Sequence, residues 1–132
     1  MSAFVIIGSI FLFLAAAIHV LIFFLESILW SKPATWKRFG LRTQEEADTV
    51  RPMAFNQGFY NLFLAIGVGV GLVLLGTGNT AGGIAISIFA AMSMVLAAVV
   101  LVTSSPKLAR SAALQGVAPL IGVLFLVLQL LS

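Results

Sequence analysis

Residues 3–30 read AFVIIGSIFLFLAAAIHVLIFFLESILW. A helix needs ~20 apolar residues to cross the hydrocarbon of a bilayer, and this stretch exceeds that length. Only two of its side chains are ionisable, His19 and Glu26. They stand seven residues apart, which is two helical turns, so they share a face. A charged group at membrane depth is costly, faces the bundle interior and marks a function. Glu26 is the only carboxylate in any apolar segment of the chain.

Three further apolar stretches follow, at 52–75, 81–103 and 112–131, and none carries a charge. Backbone polar groups in hydrocarbon must be satisfied within their own segment, so stretches of this length are helices. A membrane barrel is excluded because no alternating polar positions exist to face a lumen. Of the 132 residues, 61% are hydrophobic and 8% charged. Soluble domains carry ~25% charged residues, so a soluble fold is excluded. The length fits a single domain, residues 1–132. With no cysteine, disulfide and thiol chemistry are excluded. The first apolar run is longer than a signal-peptide core of ~7–15 residues, and no basic residue precedes it. It is expected to be a retained helix. The sequence therefore predicts an all-α integral membrane four-helix bundle, built from two helical hairpins.

The loops set the expected orientation. Lys32, Lys37, Arg38, Arg42 and Arg51 lie between the first two spans, and Lys107 and Arg110 between the last two. The turn at 76–80 carries no charge. All seven basic residues thus fall on one face, which the positive-inside rule makes cytoplasmic. The expectation is an inner-membrane protein with both termini outside. Trp30 and Trp36 fall where an interfacial aromatic belt is expected. In the first loop, Thr43-x-x-Glu46 matches a capping box. It predicts a short interfacial helix near Gln44, broken or kinked where Pro52 opens the second span. Lys37, Arg38 and Arg42 either set topology alone or also lie along anionic headgroups.

Small residues point to close helix contacts. Gly67 and Gly71 form a GxxxG pair, and Gly83, Ser87 and Ala91 recur at four-residue spacing. Packing within one chain is the expected use, with a homodimer as the alternative. Leu126 is expected to face lipid. Superposing Gln57-Gly58 on Gln115-Gly116 also aligns Ala54 with Ala112 and Leu62 with Leu120. This is a faint internal repeat, as expected of two hairpins in the same orientation.

The second span opens with Asn56-Gln57-Gly58-Phe59-Tyr60-Asn61, and the fourth span adds Gln115. Counting from the loops at ~1.5 Å per residue places Glu26, Gln57 and Gln115 at a similar depth, ~7–9 Å into the membrane. Glu26, Asn56, Gln57 and Gln115 are therefore expected to converge, with Tyr60, Asn61 and His19 deeper. Glu26 would supply a proton and His19 accept or relay it, while Asn56, Gln57, Tyr60, Asn61 and Gln115 bind a ligand's polar atoms. The plain alternative is that Asn, Gln and His act as interhelical glue and that Glu26 reaches to the interface. One His and one Glu are too few for a zinc or iron site. No catalytic triad, phosphate loop or dinucleotide fingerprint implies a cofactor. The basic residues are accounted for by topology, so nucleic acid is not an expected partner.

The segments His19…Glu26…Leu29-Trp30, Phe39-Gly40-Leu41 and Ala54-Phe55-Asn56-Gln57-Gly58-Phe59-Tyr60-Asn61 resemble a family of small bacterial four-helix membrane proteins, catalogued as domain of unknown function 1304. Gln115-Gly116 fits its last helix. The resemblance spans nearly the whole chain. It implies the fold and a set of recurring polar positions, and no substrate.

The function these features predict is binding of a small amphipathic or lipid-like ligand in a cytoplasm-facing intramembrane pocket. Acid–base chemistry by Glu26 and His19 is the enzymatic variant. One rival is an accessory subunit of a larger membrane complex. Another is a small multidrug exporter, which also carries one Glu in its first helix. Exporters that insert both ways need almost no charge bias, whereas this chain has a strong one.

Overall fold

The computed structural model describes Met1–Ser132. It is helical throughout, with no strand. Helix α1 runs Ala3–Phe23 and continues into a π-helical turn at Phe24–Ile28. A one-turn helix α2, Pro33–Trp36, follows. Helix α3 covers Gln44–Gly76, α4 Thr80–Ser104 and α5 Ala109–Leu131. The four long helices are apolar and long enough to cross a membrane, and the chain is a multi-pass membrane protein. At ~1.5 Å per residue the 25 residues of α4 span about 37 Å, against ~30 Å of hydrocarbon.

The long helices form a ring in which α1 packs on α3, α3 on α4, α4 on α5 and α5 back on α1. Diagonal contacts are sparse. Leu12, Val68, Met94 and Leu126 fill the centre, each fully buried. Leu126 therefore belongs to the core and does not face lipid, because α5 turns that face toward α1. Phe13, Phe63, Phe89 and Leu124 are more than half exposed, the apolar exterior a bilayer would cover.

Small residues permit the close contacts. A Cβ on Gly83 would lie 2.8 Å from the Leu75 nitrogen and 2.9 Å from the Gly71 oxygen, so α3 and α4 meet nearly backbone to backbone. Gly122 would meet Leu12 Cγ at 2.8 Å, joining α5 to α1. Both glycines of the GxxxG pair face α4 inside the chain, Gly71 against Ser87 and Gly83, and Gly67 with a Cβ that would lie 3.3 Å from Ala90 Cβ.

The interfacial segment differs from the expected separate helix. Thr43 and Glu46 do form the capping box, but the helix they start is α3 itself. Its 33 residues exceed the membrane thickness, so its first turns project into the interface. Pro52 sits inside without breaking it. Proline removes only the bond to the Asp48 carbonyl, and Asp48 is exposed, where water can replace that bond.

Trp30 and Trp36 do not form an outward belt. They are 5% and 3% exposed and make a second, smaller core with Ala47 and Ala54, flanked by Phe39, Leu41 and Val50. Trp30 Nε1 donates to the Ala47 carbonyl at 2.9 Å. Gly40 ends the turn after α2 with φ +84, a left-handed conformation open to glycine. This lobe roofs the end of the bundle that carries the basic loops.

Candidate functional site

The π-turn builds the site. The Leu29 N–H donates to the Phe24 carbonyl, five residues back, at 2.8 Å. A π-turn inserts an extra residue into the helix and is frequent at functional sites. Here it brings Glu26 and Ser27 together onto α3. Ser27 Oγ donates to the Phe55 carbonyl at 2.8 Å. Gly58 makes the approach possible: a Cβ there would lie 3.1 Å from the Cβ atoms of both Glu26 and Ser27 and would overlap Ser27 Oγ.

Glu26 is 8% exposed. Asn61 Nδ2 donates to Glu26 Oε2 at 2.9 Å and to the Gln57 carbonyl at 3.1 Å, so both amide hydrogens are used. Glu26 Oε1 has no hydrogen-bond donor, and it is not sealed from solvent. Depth counting puts Asn61 a layer below Glu26. The structure joins them, because the π-turn and the Gly58 contact alter the register that a regular helix would give.

A cavity of about 390 Å³ lies beside this pair. Glu26, Asn56 and Gln57 supply its polar wall. Trp30, Phe39 and Leu41 from the roof and Val50, Met53 and Ala54 from α3 supply the apolar wall. No basic residue lines it.

The other expected site residues lie elsewhere. His19 is 1% exposed, and its Nδ1 bonds the Ala15 carbonyl at 2.8 Å within α1. It makes no hydrogen bond to Glu26. Tyr60 is 58% exposed and points out of the bundle. Gln115 is half-buried on α5, diagonally across the ring from α3. The structure thus brings Glu26, Asn56, Gln57 and Asn61 together, and separates His19, Tyr60 and Gln115 from them. No group of His, Cys, Asp or Glu residues is placed to hold a metal ion.

Sequence reasoning missed Ser27 and the roof residues Phe39 and Leu41. Ser27 has a signal, as it adjoins Glu26 at the end of a span. Phe39 and Leu41 appear in the sequence only as part of the family-like Phe39-Gly40-Leu41 segment, and their place in the roof depends on how a short loop folds back.

Residues 13–127 match the family described as Protein of unknown function (DUF1304). The chain belongs to that family. No curated protein and no solved structure matches the chain.

Proposed function

We propose that this protein binds a small amphipathic or lipid-like ligand in the cavity beside Glu26. The observation that carries the reading is a buried carboxyl group with one oxygen held by Asn61 and the other free, on the wall of a cavity that is polar on one side and aromatic and aliphatic on the other. Pockets of this kind, mostly apolar with a few convergent polar groups, are the usual form of a small-molecule site. The proposed orientation puts the cavity at the cytoplasmic face of the inner membrane, with both termini outside, because every basic loop residue lies at that end.

The glue reading of the polar residues has less support. The equivalent contact in the second hairpin, Gly116 against Ala98, closes with apolar side chains alone. Close helix approach in this fold therefore does not call for a carboxylate. The acid–base variant would have Glu26 and His19 exchange a proton, and His19 is engaged with its own helix backbone. Binding is the simpler reading. The accessory-subunit reading is favoured by a second groove of about 270 Å³ between α4 and α5, lined by Ala, Val and Gly. Small residues of that kind admit another helix.

Native mass spectrometry of gently extracted protein tests the choice. A retained small molecule, lost in Glu26→Ala, upholds the binding site. A stoichiometric protein with no retained small molecule moves the function to a subunit of a complex.

A further inference from the structure

Resting on the binding reading of the same cavity, we infer that the ligand's head is a protonated amine on an alkyl chain. Charge comes first. Glu26 is the only ionisable group on the cavity wall. A phosphate, sulfate or carboxylate head would meet it as a like charge in a poorly screened site. None of the seven basic residues of the chain lines the cavity. An ammonium head is the one that supplies an opposite charge to Glu26 in its ionised form.

Hydrogen bonding points the same way. An ammonium group brings only donors. The wall offers Glu26 Oε1, free of any protein donor, and the side-chain amides of Asn56 and Gln57, whose oxygens can accept. Asn61 holds Glu26 Oε2 and so fixes the carboxylate. Charge-assisted bonds of this kind are about twice as strong as neutral ones.

The apolar wall fits the rest of the molecule. Trp30 and Phe39 stand with ring centroids 5.2 Å apart, and aromatic faces attract ammonium groups. Val50, Met53 and Ala54 continue along α3, and Met53 is 73% exposed. An alkyl chain leaving the cavity past Met53 would pass directly to the outside of the bundle. Two sources share this ammonium, a free long-chain amine and the ethanolamine head of a phospholipid, whose phosphate must then lie outside the reach of Glu26.

The test uses the full chain in an uncharged maltoside detergent. Both tryptophans of the chain lie in the lobe that roofs the cavity, so intrinsic fluorescence reports on it selectively. Decylamine, decanol and decyl sulfate are titrated separately. Decylamine should bind about tenfold or more tightly than decanol, a difference of about 1.4 kcal/mol. Glu26→Gln should abolish the difference by weakening decylamine binding, while Glu26→Asp should keep part of it. Unchanged helicity by circular dichroism shows that Glu26→Gln still folds, as its amide carbonyl can accept from Asn61. Phosphatidylethanolamine that displaces decylamine, where phosphatidylglycerol does not, makes the source a lipid head. Displacement by neither makes it a free amine, and both results uphold the ammonium site. Equal binding of decanol and decylamine, or tighter binding of decyl sulfate, overturns the amine while leaving a pocket. Failure of all three amphiphiles to bind overturns the pocket as well.

Discussion

The bond between Asn61 and Glu26 is the feature whose removal has the clearest energetic consequence. Asn61→Leu replaces the amide by an apolar group of similar size. It strands Glu26 Oε2, which is buried and has that single donor. A buried acceptor left without its partner costs about 1–3 kcal/mol in soluble proteins. Interhelical hydrogen bonds in membranes average ~0.6 kcal/mol and reach ~1.7. We therefore expect Asn61→Leu to destabilise by about 1–2 kcal/mol. Glu26→Met strands the Asn61 amide instead, but that amide keeps the Gln57 carbonyl at 3.1 Å, so about 1 kcal/mol is expected. The double variant leaves neither group stranded, since replacing both partners by apolar groups can be nearly neutral. It should be less destabilised than the sum of the singles by about 1 kcal/mol. Reversible unfolding in mixed micelles reads all four proteins. The control pairs Glu26→Met with Val73→Ala, a 64% exposed position far along α3, and should be additive. Gln57 lines the cavity but its side chain makes no bond to Glu26, so that pair should couple by less than about 0.5 kcal/mol. Additivity of Glu26→Met with Asn61→Leu within ~0.3 kcal/mol would refute the shared site.

Other perturbations test neighbouring steps. Gly58→Ala should destabilise by about 1–3 kcal/mol and reduce ligand retention, because the new Cβ presses on Ser27 and on Glu26 at 3.1 Å. Gly69→Ala, with nothing within 4 Å, should be neutral or stabilising by up to about 1 kcal/mol, and comparable losses at both glycines would contradict the packing. Trp30→Phe should cost about 1 kcal/mol and loosen the roof, as the Ala47 carbonyl loses its 2.9 Å donor; thermal melting with and without decylamine reads this. For topology, a cysteine at Asn79 should react with an impermeant thiol reagent from outside, and one at Arg42 only after the membrane is opened. The reverse labelling would invert the assigned orientation.

Most of the fold is legible in the sequence, and the reasons are physical. Hydrocarbon leaves the backbone no option but helix, so the four spans follow from length and charge alone. The capping box at Thr43 and Glu46 is equally local. What could not be read depends on three-dimensional context. Pro52 signals a break in isolation, yet it is harmless where the freed Asp48 carbonyl meets water. Trp30 and Trp36 have the composition of a belt, and only the fold of the loop turns them inward. The candidate site was legible in composition, with Glu26, Asn56, Gln57 and Asn61 all named, but not in register. Counting residues assumes 3.6 per turn, and the π-turn at Phe24–Ile28 violates that assumption where Glu26 sits.

The faint repeat sharpens the meaning of the polar site. Gly58 meets Ser27, and Gly116 meets Ala98, so each hairpin closes through a glycine on its second helix. Superposing the two contacts sets Asn61 against Pro119 and Glu26 against Ala97. Pro119 is buried and has no donor side chain, and Ala97 has no acceptor. A cavity of about 390 Å³ lies beside the Glu26–Asn61 pair in the first hairpin, and a groove of about 270 Å³ is lined by Gly116 in the second. The second is walled by Val95, Ala98 and Val102 with Ala112 and Val117, and carries no charge. A glycine contact thus occurs in both hairpins, once between apolar side chains and once beside a carboxylate with its fixing amide. If the polar groups served packing alone, the second hairpin should need them too, and it closes without them. Glu26, with Asn56 and Gln57, lies on one wall of one cavity, and that placement supports the proposed ligand site.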